Sequence, residues 1–149
     1  MSRENVVFPA GRGEIERVLP HRDPFVWVSR IVSCDFGERV EAEFDVDPAL
    51  PLFAGHFPGH PVLPGVILME ALAQAACYCV LGAGDNAGKL GFFAGIDKAR
   101  FRRQVLPGDT VRLVVDIVKN GRRMAVAEAR AFVGDELAAE ARQTYVLGE

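Results

Sequence analysis

From Val66 to Leu81 the chain reads VILMEALAQAACYCVL, an apolar run interrupted only by Glu70 and Gln74. It contains no glycine or proline and is rich in good helix formers, so it predicts a helix rising roughly 24 Å. A helix that is apolar on every face must be buried on nearly every face. The run is short against the ~20 apolar residues of a membrane span and carries a carboxylate and an amide, so protein rather than lipid is the expected cover. Flexible turn residues, GAGDNAG from Gly82 to Gly88, end it.

The flanking sequence shows what could supply that cover. A short helical turn over Glu14–Leu19 is stopped by Pro20. FVWVSRIVSC (Phe25–Cys34) and RVEAEFDV (Arg39–Val46) then read as antiparallel strands joined at CDFGE, with Glu41, Glu43 and Asp45 on one wet face. Further strands are expected at about Leu90–Ala99, Thr110–Val118, Arg123–Val133 and Glu136–Leu147, separated by the turn signals LPGD, KNGR and VGDE. The class is α+β, one domain over residues 1–149. A curved antiparallel sheet can wrap one side of the helix, and the simplest cover for the other is a second copy, which predicts a homodimer.

Composition narrows the function classes. The net charge of -3 argues against a protein that binds nucleic acid by neutralising phosphates. Cys34, Cys77 and Cys79 are odd in number and form no C-x-x-C pair, so neither a disulfide framework nor a four-ligand zinc site is expected. The N-terminal stretch MSRENVVFPAGRGEIERVL lacks the layout of a signal peptide, and the cytoplasm is the expected compartment.

GHFPGHPVLPGV, just ahead of the helix, holds His56 and His60 at the spacing of a helical zinc pair. Pro58, Gly59 and Pro61 make a helix there untenable, and no metal site is expected. Glu70 is costly in a buried helix unless it is paired or protonated. Two readings stay open for it: a carboxylate whose pKa burial raises towards general acid–base work, or a structural one bonded to Gln74 a turn away. Gly65 opens the helix behind Pro64 with an N–H that lacks an intrahelical partner, which can hold a developing oxyanion or simply start a helix. Taken together, imidazole, carboxylate and free amide suit proton abstraction beside a carbonyl with loss of a β-hydroxyl. Cys77 and Cys79 sit in the apolar helix as core residues, so covalent catalysis is not expected.

LPHRDPFVWVSRI, GHFPGHPVLPGVILMEALAQ and FFAGIDKARFRRQVLPGD resemble, in order and spacing, the FabZ-type 3-hydroxyacyl-acyl carrier protein dehydratases. The resemblance spans roughly Leu19 to Leu113. It implies a hotdog fold, a long central helix wrapped by an antiparallel sheet, in dimers that often assemble into hexamers. It implies His56 as base, Glu70 of the partner subunit as acid and Gly65 as the amide for the thioester carbonyl, with no metal or redox cofactor. The substrate partner implied is acyl carrier protein. Glutamate rather than aspartate at position 70 favours dehydration without isomerisation. Asp23 stands where the family usually has an aromatic, and Ser29 where an acidic residue is common.

Phe57, Phe92, Phe93 and Phe101 are candidates for an acyl tunnel as much as for the core. Lys98, Arg100 and Arg102, alternating on one strand face beside Arg103, form either a docking patch for acidic acyl carrier protein or a solvated face. His60 is expected to be an exposed loop residue. Rival readings are a hotdog thioesterase, with Glu70 activating water, and a non-catalytic acyl-thioester binding module.

Overall fold

The computed structural model describes residues 5–148; residues 1–4 and 149, the ends of the expected domain, lie outside the described residues. Helix α1 spans Arg12–Val18, strands β1 Arg30–Asp35 and β2 Arg39–Asp45 follow, and helix α2 spans Gly65–Leu81. Four longer strands complete the chain: β3 Leu90–Phe101, β4 Thr110–Asn120, β5 Met124–Val133 and β6 Glu136–Gly148. All pair antiparallel in one sheet of order β1-β2-β4-β5-β6-β3. The sheet wraps α2, which is the hotdog arrangement.

Alternation in the sequence dictates how the sheet faces the helix. In β2, Val40, Ala42 and Phe44 turn inward, while Arg39 and Asp45 are exposed and Glu41 and Glu43 half-buried, as period-two patterning requires. The other long inner strands follow the same rule, with Val111, Leu113 and Val115 of β4 and Ala125, Ala127, Ala129 and Ala131 of β5 all buried. The small residues of β5 let α2 approach closely.

The helix is buried from Leu68 to Leu81 except at Glu70. Each fully buried leucine or valine there contributes about 2 kcal/mol through removal of apolar surface from water. The outer side of α2, for which a second copy is the simplest expected cover, is covered instead by the same chain. Tyr78 donates its hydroxyl to Glu14 of α1 at 3.0 Å and packs on Phe36, and Gly37 N–H bonds Cys79 O at 3.0 Å. The exposed apolar side chains include a run along β3, at Phe92, Phe93, Ile96 and Phe101.

The first strand also departs from expectation, starting at Arg30 and not at Phe25. Residues 25–28 run extended beside α2 because the buried Gln74 side chain acts as their partner. Its Oε1 accepts Trp27 N–H and its Nε2 donates to Phe25 O, both at 2.9 Å. Asp23 is exposed and pairs with Arg12 at 2.8 Å, and Ser29 Oγ accepts the N–H of Asp45 at 2.8 Å.

Candidate active site

Proline and glycine build the base position. Phe57 and His60 exchange both backbone hydrogen bonds, at 3.0 and 2.8 Å, around Pro58 and Gly59. Gly59 has φ +74°. Proline followed by a residue at positive φ is the signature of a type II turn, which glycine adopts without strain. The turn brings His56 back beside Val62, whose N–H bonds His56 O at 2.9 Å. Val62 O in turn lies 2.8 Å from His56 Nδ1. A carbonyl can only accept, so in the neutral ring Nδ1 carries the proton and Nε2 is the free base. Phe57 stacks on the imidazole with ring centroids 4.1 Å apart. His60 is exposed, as expected for a turn residue.

Gly65 stands three residues beyond Val62 at the start of α2. Its N–H has neither a capping side chain nor a backbone partner among the described residues. A Cβ here would lie 2.7 Å from Cε1 of Phe101. Glycine therefore keeps the amide open beneath the phenyl ring, where the helix dipole favours negative charge. His56, Gly65 and Phe101 line one cavity of about 540 Å³, with Arg102 and Arg103 on its wall.

Glu70 opens elsewhere. With His21, Gln74, Cys77, Phe92, Phe93 and Tyr145 it lines a second pocket of about 180 Å³. Its side chain is 21% exposed. Gln74 Nε2 donates to Glu70 Oε2 at 3.1 Å, so the structural bond foreseen between them is present. His21 Nε2 lies 3.7 Å from the same oxygen. Burial is the main cause that lowers the pKa of His21; Glu70 opposes it and Arg22 adds to it. Burial also pushes the Cys77 thiol up to about 12 and the Tyr145 hydroxyl well above its ordinary value, so both stay protonated. The fully buried Gln143 on β6 accepts from Tyr145 and donates to Met69 O at 3.1 Å, pinning the helix one residue before Glu70.

The fold thus brings His56 and Gly65 into one cavity and places Glu70 in another. Helical spacing points to Gln74 as a partner of Glu70, but not to His21. His21 sits 49 positions before Glu70, and its place comes from Arg22, which caps α1 by donating to Leu19 O at 2.9 Å and Glu16 O at 3.2 Å. Among the aromatics, Phe101 belongs to the His56 cavity and Phe92 and Phe93 to the Glu70 pocket.

The basic cluster is not one alternating face. The register of β3 against β6 shifts between Asp97 and Arg100, and Lys98 has φ +55°, which breaks the two-residue period. Arg102 pairs with Glu140 at 2.6 Å, and Arg103 lies 3.4 Å from Glu136 and 3.8 Å from Asp109. Lys98 and Arg100, both exposed, have no carboxylate partner among the described residues.

A family model described as a FabA-like domain matches residues 19–142. The chain is 48% identical over 135 residues to the 3-hydroxyacyl-[acyl-carrier-protein] dehydratase FabZ of Desulforamulus reducens, covering 91% of this chain and 95% of that protein. Against the protein of the same name from Alkaliphilus metalliredigens it is 46% identical over 134 residues, covering 90% and 91%. Among solved structures, the dehydratase heterocomplex ApeI:P of Xenorhabdus doucetiae superposes with a TM-score of 0.77 at 16% identity, covering 97% of this chain and 93% of that one. That likeness concerns the fold.

Proposed function

The chain belongs to the FabA-like family and within it to the FabZ dehydratases, and from that premise we propose how its residues divide the reaction between two subunits. The enzyme is a hydro-lyase of fatty acid biosynthesis that removes water from (3R)-3-hydroxyacyl thioesters to give trans-2-enoyl thioesters. His56 Nε2 takes the C2 proton, and the enolate-like charge on the thioester oxygen is held by Gly65 N–H. The C2=C3 double bond forms as the C3–O bond breaks, and Glu70 of the partner subunit protonates the departing hydroxyl. Solvent then returns the proton from His56 to the glutamate.

One observation carries the two-subunit site. His56 with Gly65, and Glu70, open on separate pockets, and both pockets border β3, an edge strand of the sheet. An antiparallel, two-fold pairing of β3 with a second β3 would set the Phe101 end of one strand against the Phe92 end of the other. That pairing places the His56 cavity of one subunit beside the Glu70 pocket of its partner. It also covers the exposed phenylalanines and satisfies an open strand edge. The dimer extends to a hexamer as a trimer of dimers.

The protein acts as one domain in the cytoplasm, and no described helix is long and apolar enough to cross a membrane. Its substrate arrives on acyl carrier protein, an acidic partner for which Lys98 and Arg100 offer uncompensated charge beside a cavity walled by Arg102 and Arg103. Purified protein is tested with a 3-hydroxyacyl thioester and its enoyl counterpart, followed for interconversion and for free thiol. Interconversion without thiol release is expected. Thiol release without interconversion would mean a thioesterase, and neither would mean a binding module.

A further inference from the structure

Glu70 is held by one oxygen only. Gln74 Nε2–H and His21 Nε2 both address Oε2, at 3.1 and 3.7 Å, and nothing among the described residues bonds Oε1. Gln74 is itself immobilised by Trp27 N–H and Phe25 O, so its amide cannot follow the carboxylate if that side chain swings away. His21 is equally constrained: Arg22 donates to His21 O at 2.7 Å and to the end of α1, and Phe25 stacks near the ring. Nδ1 of His21 is buried without a partner. A proton there would be an orphan donor, whereas on Nε2 it faces a carboxylate, so the neutral ring carries it on Nε2.

We propose that His21 and Gln74 are positioning residues that clamp Oε2 of Glu70, leaving Oε1 as the single oxygen that delivers the proton to the substrate hydroxyl. The inference rests on the reading of Glu70 as the acid. A carboxylic acid that could rotate would present either oxygen, and misplacement of a catalytic group by about 1 Å can cost on the order of a hundredfold in rate. At 3.7 Å the His21 contact is longer than a hydrogen bond, and the clamp requires it to shorten when substrate binds. The other polar groups near the pair are Arg22 and the Cys77 thiol and Tyr145 hydroxyl, the last two kept protonated by burial.

The test uses the intact homo-oligomer with trans-2-butenoyl and 3-hydroxybutanoyl thioesters, comparing His21→Leu, His21→Gln, Gln74→Leu and Glu70→Gln. In His21→Leu, kcat should fall about 10- to 100-fold with KM within about twofold. His21→Gln restores an N–H near the same place and should recover most of the rate, which a merely structural role of His21 would not give. Gln74→Leu should behave like His21→Leu, but it also strips Trp27 and Phe25 of their partner, so the His21 pair decides. Full kcat in His21→Leu overturns the inference. So does equal impairment of His21→Leu and His21→Gln. Turnover retained in Glu70→Gln is a separate outcome, which removes Glu70 as acid and the clamp with it.

Discussion

Gly59 is the residue whose replacement best isolates the turn that aims His56. A Cβ at Gly59 would meet nothing within 4 Å, so Gly59→Ala adds no clash, and only the backbone at φ +74° resists it. For an L-residue that conformation costs about 1–2 kcal/mol. Set against an exposed turn with two backbone bonds, this shifts the ratio of closed to open turn by roughly 5- to 30-fold. Once the turn opens, the His56–Val62 bonds at 2.8 and 2.9 Å lose their alignment. kcat/KM for enoyl thioester hydration, followed by loss of the conjugated absorbance, should fall by about tenfold, while urea unfolding reports a loss of no more than about 2 kcal/mol. Asparagine visits positive φ more readily than alanine, so Gly59→Asn should keep most of the activity. If Gly59→Asn is as impaired as Gly59→Ala, or if Gly59→Ala matches the parent in both assays, the turn does not position the base.

His56→Ala and Glu70→Gln should each lose at least about a thousandfold in turnover, while His60→Ala, at an exposed position, should stay within about twofold. Subunit exchange between the two inactive variants should restore about a quarter of parental activity, since half of randomly formed dimers are mixed and each has one intact site of two; no recovery would place both groups in one chain. Leu72→Ala, at a fully buried site on α2, should cost about 2–5 kcal/mol in urea unfolding, and a loss below ~1 kcal/mol would show that the core collapses onto the gap. Arg30 holds the Asp45 carboxyl below its ordinary pKa by hydrogen bonding, so its stabilisation is present above about pH 4 and fades as pH falls further. Arg30→Ala should flatten that acid limb of the stability profile, and an unchanged limb would assign it to other carboxylates.

The architecture was legible where one physical signal dominated. The unbroken apolar run of α2 and the two-residue alternation of β2 need no partner to be read. Residues 25–28 were misread as strand because β-branched and aromatic composition reports extended backbone, not what it hydrogen-bonds, and here the partner is a glutamine side chain on α2. The break in the basic cluster was hidden for a related reason: a bulge at Lys98 depends on pairing with β6, some forty residues on. At the site, His56, Gly65 and Glu70 stood out by chemistry, and Pro58-Gly59 by turn preference. His21 did not, because its nearness to Glu70 is made by the cap that Arg22 places on α1.

The sheet order has a consequence for biosynthesis. Among the described residues β3 pairs with β6 alone, and β6 starts at Glu136, well after β3 ends at Phe101, so during synthesis the third strand stays unmatched until β6 has been made. Until then a helix apolar on every side lacks part of its cover, and the strand carrying Phe92, Phe93, Ile96 and Phe101 has no neighbour. The nascent protein is thus most exposed to chaperones, and to other copies of itself, over that interval. Truncation within β6 would unpair β3 progressively, from its Leu90 end, which lies against Gly148, towards Phe101, which lies against Ala139.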